Sequence, residues 1–124
     1  MAVPANHTLK EYRLSCFSPS IASSPTAAYL IVPRSGRIIK TYGVSYGTTT
    51  GTTAVAVAIN GGSAISSAAL SIAAGNAGVE VEANVNATDA AQVQDGDVIS
   101  FTPSGGTGST IGGMFTVAIN AGAS

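Results

Sequence analysis

A chain of 124 residues suits one domain and excludes two, and it can bury about two-thirds of its unfolded surface without a disulfide or a metal. Hydrophobic residues make up 45% and charged residues 9%, against about 25% charged in an ordinary soluble domain, so the surface is weakly hydrated. No apolar run approaches the roughly 18 residues of a spanning helix, and five basic residues at a net charge of −1 argue against a membrane or a nucleic acid as partner.

In chain order, residues 1–8 read as an extended arm, with Pro4 barring helix at its neighbour, and residues 9–124 as a β-sandwich domain. Residues 10–17 alternate, with Tyr12, Leu14 and Cys16 on one face and Glu11, Arg13 and Ser15 on the other. A two-proline loop (18–26) leads to a short strand, 27–33, that stops at Pro33. Ser35-Gly36 turns the chain into 37–46, where Lys40, Tyr42, Val44 and Tyr46 share a face. After a polar loop, 47–52, the strand 53–60 carries Val55, Val57 and Ile59 on one face and Ala54, Ala56 and Ala58 on the other. Gly61-Gly62 permits a tight turn. Residues 63–74 fit a helical stripe or a strand and are assigned as strand. Residues 79–86 alternate, with Val79, Val81, Ala83 and Val85 inward and Glu80, Glu82, Asn84 and Asn86 in water. One helical turn fits 87–94, and Asp95-Gly96 leads into a strand at 97–103. Residues 104–113 read as a flexible Gly-rich hairpin loop before the last strand, 114–120. About eight strands result, the number in a jelly roll. The repeat of Val57-Ala58-Ile59-Asn60 as Val117-Ala118-Ile119-Asn120 marks two strands in similar settings.

Charge is segregated along the chain. Lys10, Arg13, Arg34, Arg37 and Lys40 supply every cation, opposed in that stretch by Glu11 alone, and every charge from Glu80 onward is acidic. This is chance in a small sample or complementarity between a basic region and an acidic neighbour.

Residues that could carry chemistry are few. The one histidine, His7, sits on the arm, a poor place to hold a base against a nucleophile. Cys16 lies on an apolar strand face and reads as a buried thiol. One Cys and one His cannot build a zinc site. Asp95 and Asp97 could offer oxygens to calcium, but Val98 and Ile99 follow where further ligands are needed, so a polar turn is the simpler reading. Glu80 and Glu82 read as a solvated face, and the glycines of Ser104–Gly113 lack the Lys of a phosphate loop. No catalytic or metal residue and no cofactor is expected, and the chain is read as a non-enzyme. The lone Cys and the lack of a secretion signal fit a reducing cytoplasm as the place of synthesis.

The second faces of two strands carry the functional expectation. Ala54, Ala56 and Ala58, and Met114, Thr116 and Ala118, stand where a solitary sandwich shows polar residues. An uncharged, proline-free strand exposed on both sides is an aggregation hazard. Either a loop of the same chain covers these faces or another subunit does.

The segments TAVAVAINGG, VQDGDVISFTPSGGTGS and GGMFTVAIN, within Thr53–Ala121, resemble phage capsid decoration (cement) proteins. The resemblance implies a jelly-roll homotrimer on the capsid exterior that binds the major capsid protein and stabilises the shell by bridging its subunits. It carries no catalytic residues. Lys10, Arg13, Arg34, Arg37 and Lys40 are expected to contact the capsid or a neighbour, and Ala54, Ala56, Ala58, Met114, Thr116 and Ala118 to form subunit-interface strands. The alternative is a tail-fibre or head-fibre tip that binds a host receptor or glycan through loops 47–52 and 104–113.

Overall fold

The structure, a computed structural model, describes residues 11–121. The expected arm, with His7, and Lys10 lie outside them. The described residues form β1 (Glu11–Ser18), β2 (Ala28–Ile31), β3 (Gly36–Ser45), β4 (Thr53–Ile59), β5 (Leu70–Ile72), β6 (Val81–Asn84), β7 (Gln92–Val93), β8 (Val98–Ser104) and β9 (Gly113–Asn120). One sheet has the order β1-β9-β3-β6, with β7 also on β3, and the other has the order β2-β8-β4-β5. Every pairing between strands is antiparallel. The first strand pairs with the last, the second with β8, and β4 with β5 at the fold's inner turn. This nested pairing wound into two layers is a jelly roll.

Period-two alternation decides what each layer buries. Val55 and Val57 of β4, Ile99 and Phe101 of β8, and Phe115, Val117 and Ile119 of β9 are sealed between the sheets. The Phe101 and Phe115 rings stack across the layers, with centroids 5.1 Å apart. In β3 the register to β9 slips between Ile38 and Lys40, so Ile39 is an extra residue, as in a β-bulge. The slip lets Ile38 face the core while Lys40, Tyr42 and Val44 all face outward.

Several sequence expectations change. Residues 63–74 hold both a 3-10 turn, Ser66–Ala68, and the short strand β5. The buried Thr41 hydroxyl pins that turn by donating to the Ala68 carbonyl at 2.8 Å. Residues 87–94 hold no helical turn. A tight turn closes from the Asp89 N–H to the Asn86 carbonyl, with Asp89 accepting from the Ser67 N–H at 3.1 Å, and β7 follows. The strand expected at 79–86 shortens to β6, leaving Val79 exposed. The turn expected at Gly61-Gly62 sits one residue earlier, with positive φ at Asn60 (53°) and Gly61 (71°). These angles suit the mirror-image turn that Asn-Gly favours. Residues 104–113 are not a hairpin loop, because β8 and β9 belong to different sheets. The segment crosses between layers and is tied to loop 47–52 by reciprocal Thr50–Thr107 backbone bonds of 2.9 and 2.8 Å.

Candidate interaction surfaces

The expected interface residues separate onto opposite sides of the molecule. Met114, Thr116 and Ala118 lie on β9, in the middle of the β1-β9-β3-β6 sheet, whereas Ala54, Ala56 and Ala58 lie on β4 in the other layer.

The outer face of the β1-β9-β3-β6 sheet is built in rows across the strands. Phe17, Met114 and Val44 form one row, Ser15, Thr116, Tyr42 and Glu82 the next, and Arg13, Ala118, Lys40 and Asn84 a third. The first row is apolar. The Phe17 ring stacks on Tyr46 at 5.5 Å, and Met114 is 38% exposed beside them. In the second row the Ser15 and Thr116 hydroxyls share a hydrogen bond of 2.8 Å. The Tyr42 ring has two cations within reach, Arg13 at 5.0 Å and Lys40 at 5.3 Å, close enough for cation–π attraction. Arg13, Tyr42, Val44, Glu80, Met114 and Thr116 together line a shallow open depression.

The charges that are separate in sequence meet here. Lys40 pairs with Glu82 at 3.1 Å, and Arg13 with Glu11 at 3.2 Å. The Lys40–Glu82 hydrogen bond raises the Lys40 pKa and lowers that of Glu82. Arg37 donates to the Asn86 carbonyl. The Arg34 guanidinium lies 4.9 Å over the Tyr12 ring, and the Tyr12 hydroxyl donates to the Arg34 carbonyl at 2.5 Å. The acidic surface that Lys40 meets is therefore strand β6 of its own chain. Arg13, Arg37 and Lys40 stand on this sheet, while Arg34 stands in the β2–β3 connection.

Ala118 departs from expectation. It is 1% exposed, and its cross-strand partners on the two sides are Arg13 and Lys40, long side chains whose aliphatic stems can cover a small methyl. Thr116 is half-buried and Met114 is open to contact.

The opposite face, on the β2-β8-β4-β5 sheet, has no charged side chain on its strands. Ala54 and Ala56 are exposed and Ala58 half-buried, in rows with Ser104, Thr102 and Ser100 of β8. Tyr29 and Ile31 project from β2 at 65% and 69% exposure. Neither was singled out in the sequence, because β2 is apolar on both faces and alternation cannot say which looks out. Phe17 was missed as well, although its parity with Arg13 and Ser15 placed it outward.

Cys16 is half-buried, and desolvation pushes its thiol up to about 11, which disfavours the nucleophilic thiolate. Asp97 accepts from the Asn60 side chain at 3.0 Å and the Gln94 N–H at 2.9 Å, and so serves a turn. Among the described residues no group of three or more His, Cys, Asp or Glu side chains comes together, and no helix is long and apolar enough to cross a membrane.

No protein-family model and no curated protein sequence matches the chain. Among solved structures, it is similar to a chain in the acid-stable capsid of the Helicobacter pylori bacteriophage KHP30. That likeness has TM-score 0.53 at 13% identity and covers 88% of this chain and 86% of the other. It is a likeness of fold over nearly the whole of both chains. A second likeness, to the catalytic unit of a GH87 α-1,3-glucanase from Streptomyces thermodiastaticus, has TM-score 0.46 at 11% identity. It covers 91% of this chain but 26% of the enzyme and carries no argument.

Proposed function

We propose that this protein is a structural component of a phage virion and not an enzyme. In this reading it is a decoration protein that binds the outer surface of the head through the major capsid protein and stabilises the shell by bridging capsid subunits. The observation that carries the reading is the outer face of the β1-β9-β3-β6 sheet, where Phe17, Tyr46 and Met114 stand open beside the Arg13–Tyr42–Lys40 stack. Exposed aromatic residues, Met and Arg on a rigid sheet are the composition of a protein–protein contact. The end-to-end likeness to a chain of a phage capsid supports the virion setting.

Co-sedimentation of the purified protein with heads that lack it tests the proposal. Saturable binding is expected for the wild type. Met114→Glu places a charge in the apolar row of an exposed site, so it should weaken binding by tenfold or more, a loss of about 1.4 kcal/mol, with an unchanged circular dichroism spectrum. Equal binding by the variant would remove this face from the contact.

A second reading, a fibre tip for a receptor or glycan, draws support from the Thr50–Thr107 bonds that join loops 47–52 and 104–113 into one surface. Neither loop carries an aromatic platform for a sugar ring. Binding on a glycan array would favour it.

A further inference from the structure

We infer that β1 is a self-pairing edge, through which two copies of this chain join their β1-β9-β3-β6 sheets into one continuous sheet across a two-fold axis at Leu14. The inference concerns the isolated protein and stands apart from the virion role.

The hydrogen-bond register gives the edge its chemistry. The Tyr46 N–H donates to the Gly112 carbonyl at 2.9 Å, which continues the register Tyr42–Thr116 and Val44–Met114. Bonded pairs alternate along an antiparallel ladder. Gly112, Met114 and Thr116 therefore turn their backbone groups toward β3, and Gly113, Phe115, Val117 and Ile119 turn theirs toward β1. The partners of the latter on β1 are Ser18, Cys16, Leu14 and Tyr12. The N–H and C=O groups of Glu11, Arg13, Ser15 and Phe17 consequently point out of the sheet, and among the described residues Arg13, Ser15 and Phe17 have no backbone hydrogen-bond partner there. β2 packs near β1 without sharing a ladder with it.

Such a row of alternating donors and acceptors is satisfied by another extended strand. The other edge strands are poor templates. β2 spans 4 residues and ends just before Pro33, β5 spans 3, β6 spans 4 and carries Glu82, and β7 spans 2. β1 spans 8 residues with neither proline nor bulge. Its two charges neutralise each other in the Glu11–Arg13 ion pair. On the inner side Tyr12, Leu14 and Cys16 are only partly buried, so the core at this edge is unfinished.

A second copy of β1 fits the gap in the register that overlaps the whole strand. Antiparallel pairing about Leu14 sets Arg13 opposite Ser15 of the second copy and Glu11 opposite Phe17, so no like charges stand directly opposed. On the inner side Leu14 meets Leu14 and Tyr12 meets Cys16, covering the apolar row. The contact uses the same patch on both copies, so it closes as a dimer and does not propagate.

Sedimentation velocity of the full chain tests this with two variants at one site. Ser15→Pro removes an outward N–H, a place where an edge strand tolerates proline. It should dissociate the wild-type dimer, shifting the midpoint at least tenfold to higher concentration, while the β-type circular dichroism spectrum stays. Ser15→Ala loses the hydroxyl contact to Thr116 but keeps the N–H, and should remain dimeric. In a Cys16→Ser background, Leu14→Cys should form an intermolecular disulfide on mild oxidation, because Cα atoms in a non-bonded antiparallel pair stand about 4.5 Å apart, within bridging range. A monomeric wild type at high concentration, an oligomer indifferent to Ser15→Pro, or no disulfide at position 14 would each overturn the inference. Loss of head binding by Ser15→Pro in a monomeric protein would instead assign the edge to a strand of the shell.

Discussion

Thr53 opens β4 with a fully buried side chain whose Oγ1 has no hydrogen-bond partner among the described residues. Gly106 from the crossing segment packs directly on it, and a methyl at Gly106 would sit 2.2 Å from that oxygen. The absent side chain at 106 thus lets the segment lie flat on β4. A buried hydroxyl without a partner costs its desolvation, so Thr53→Val, which keeps the shape, should raise stability by about 1 kcal/mol. Urea unfolding would show a higher midpoint at unchanged slope, and a lower midpoint would mean that the hydroxyl has a native partner. Ala118 teaches the converse lesson. An apolar residue on an outward strand position need not be an interface, because long charged neighbours can cover it within the same chain.

At the scale of elements, the turns are fastened by side chains, and this predicts the response to acid. The Asn60 side chain donates to Asp97 while its oxygen accepts from the Val98 N–H at 2.9 Å, tying the β4 turn to the turn before β8. The Asn60 and Gln94 bonds lower the Asp97 pKa, and the Ser67 bonds lower that of Asp89. A folded-state pKa below the unfolded value stabilises above the unfolded value, about 3.9 for Asp, and this is lost as pH falls through the folded one. Tm should therefore hold above about pH 5 and fall below about pH 4. Asp97→Asn should melt lower than wild type at pH 7, and the gap should narrow as the pH falls below the ordinary Asp range and the carboxylate takes up its proton. A gap that persists in acid would show that the carboxylate charge is not what holds the turn.

Much of this level was legible in the sequence, because alternation and turn residues are local signals. The faces of β1, β4 and β9 follow from period two, and Asp95-Gly96 marks its turn. What stayed hidden was set by pairing partners. No local pattern says that residues 104–113 cross between layers, that β6 brings Glu82 to Lys40, or that Thr41 holds a 3-10 turn where an apolar strand was expected.

The whole molecule is a jelly roll with two unlike outward sheet faces: one sets an apolar row of Phe17, Met114 and Val44 beside Arg13, Tyr42 and Lys40, and the other has no charged side chain on its strands. The sequence placed Ala54, Ala56 and Ala58 with Met114 and Thr116 in one interface set, and the fold assigns them to opposite surfaces. The proposed role would therefore draw on two separate faces, not one. The decoration role makes one demand on bulk behaviour, which is that heads carrying the protein must withstand more heat than heads without it. Thermal rupture, followed by release of DNA to an intercalating dye, measures this directly. Addition of the purified protein to stripped heads should raise the rupture temperature in proportion to occupancy, and Met114→Glu should fail to restore it. Equal rupture temperatures at full occupancy would contradict the account.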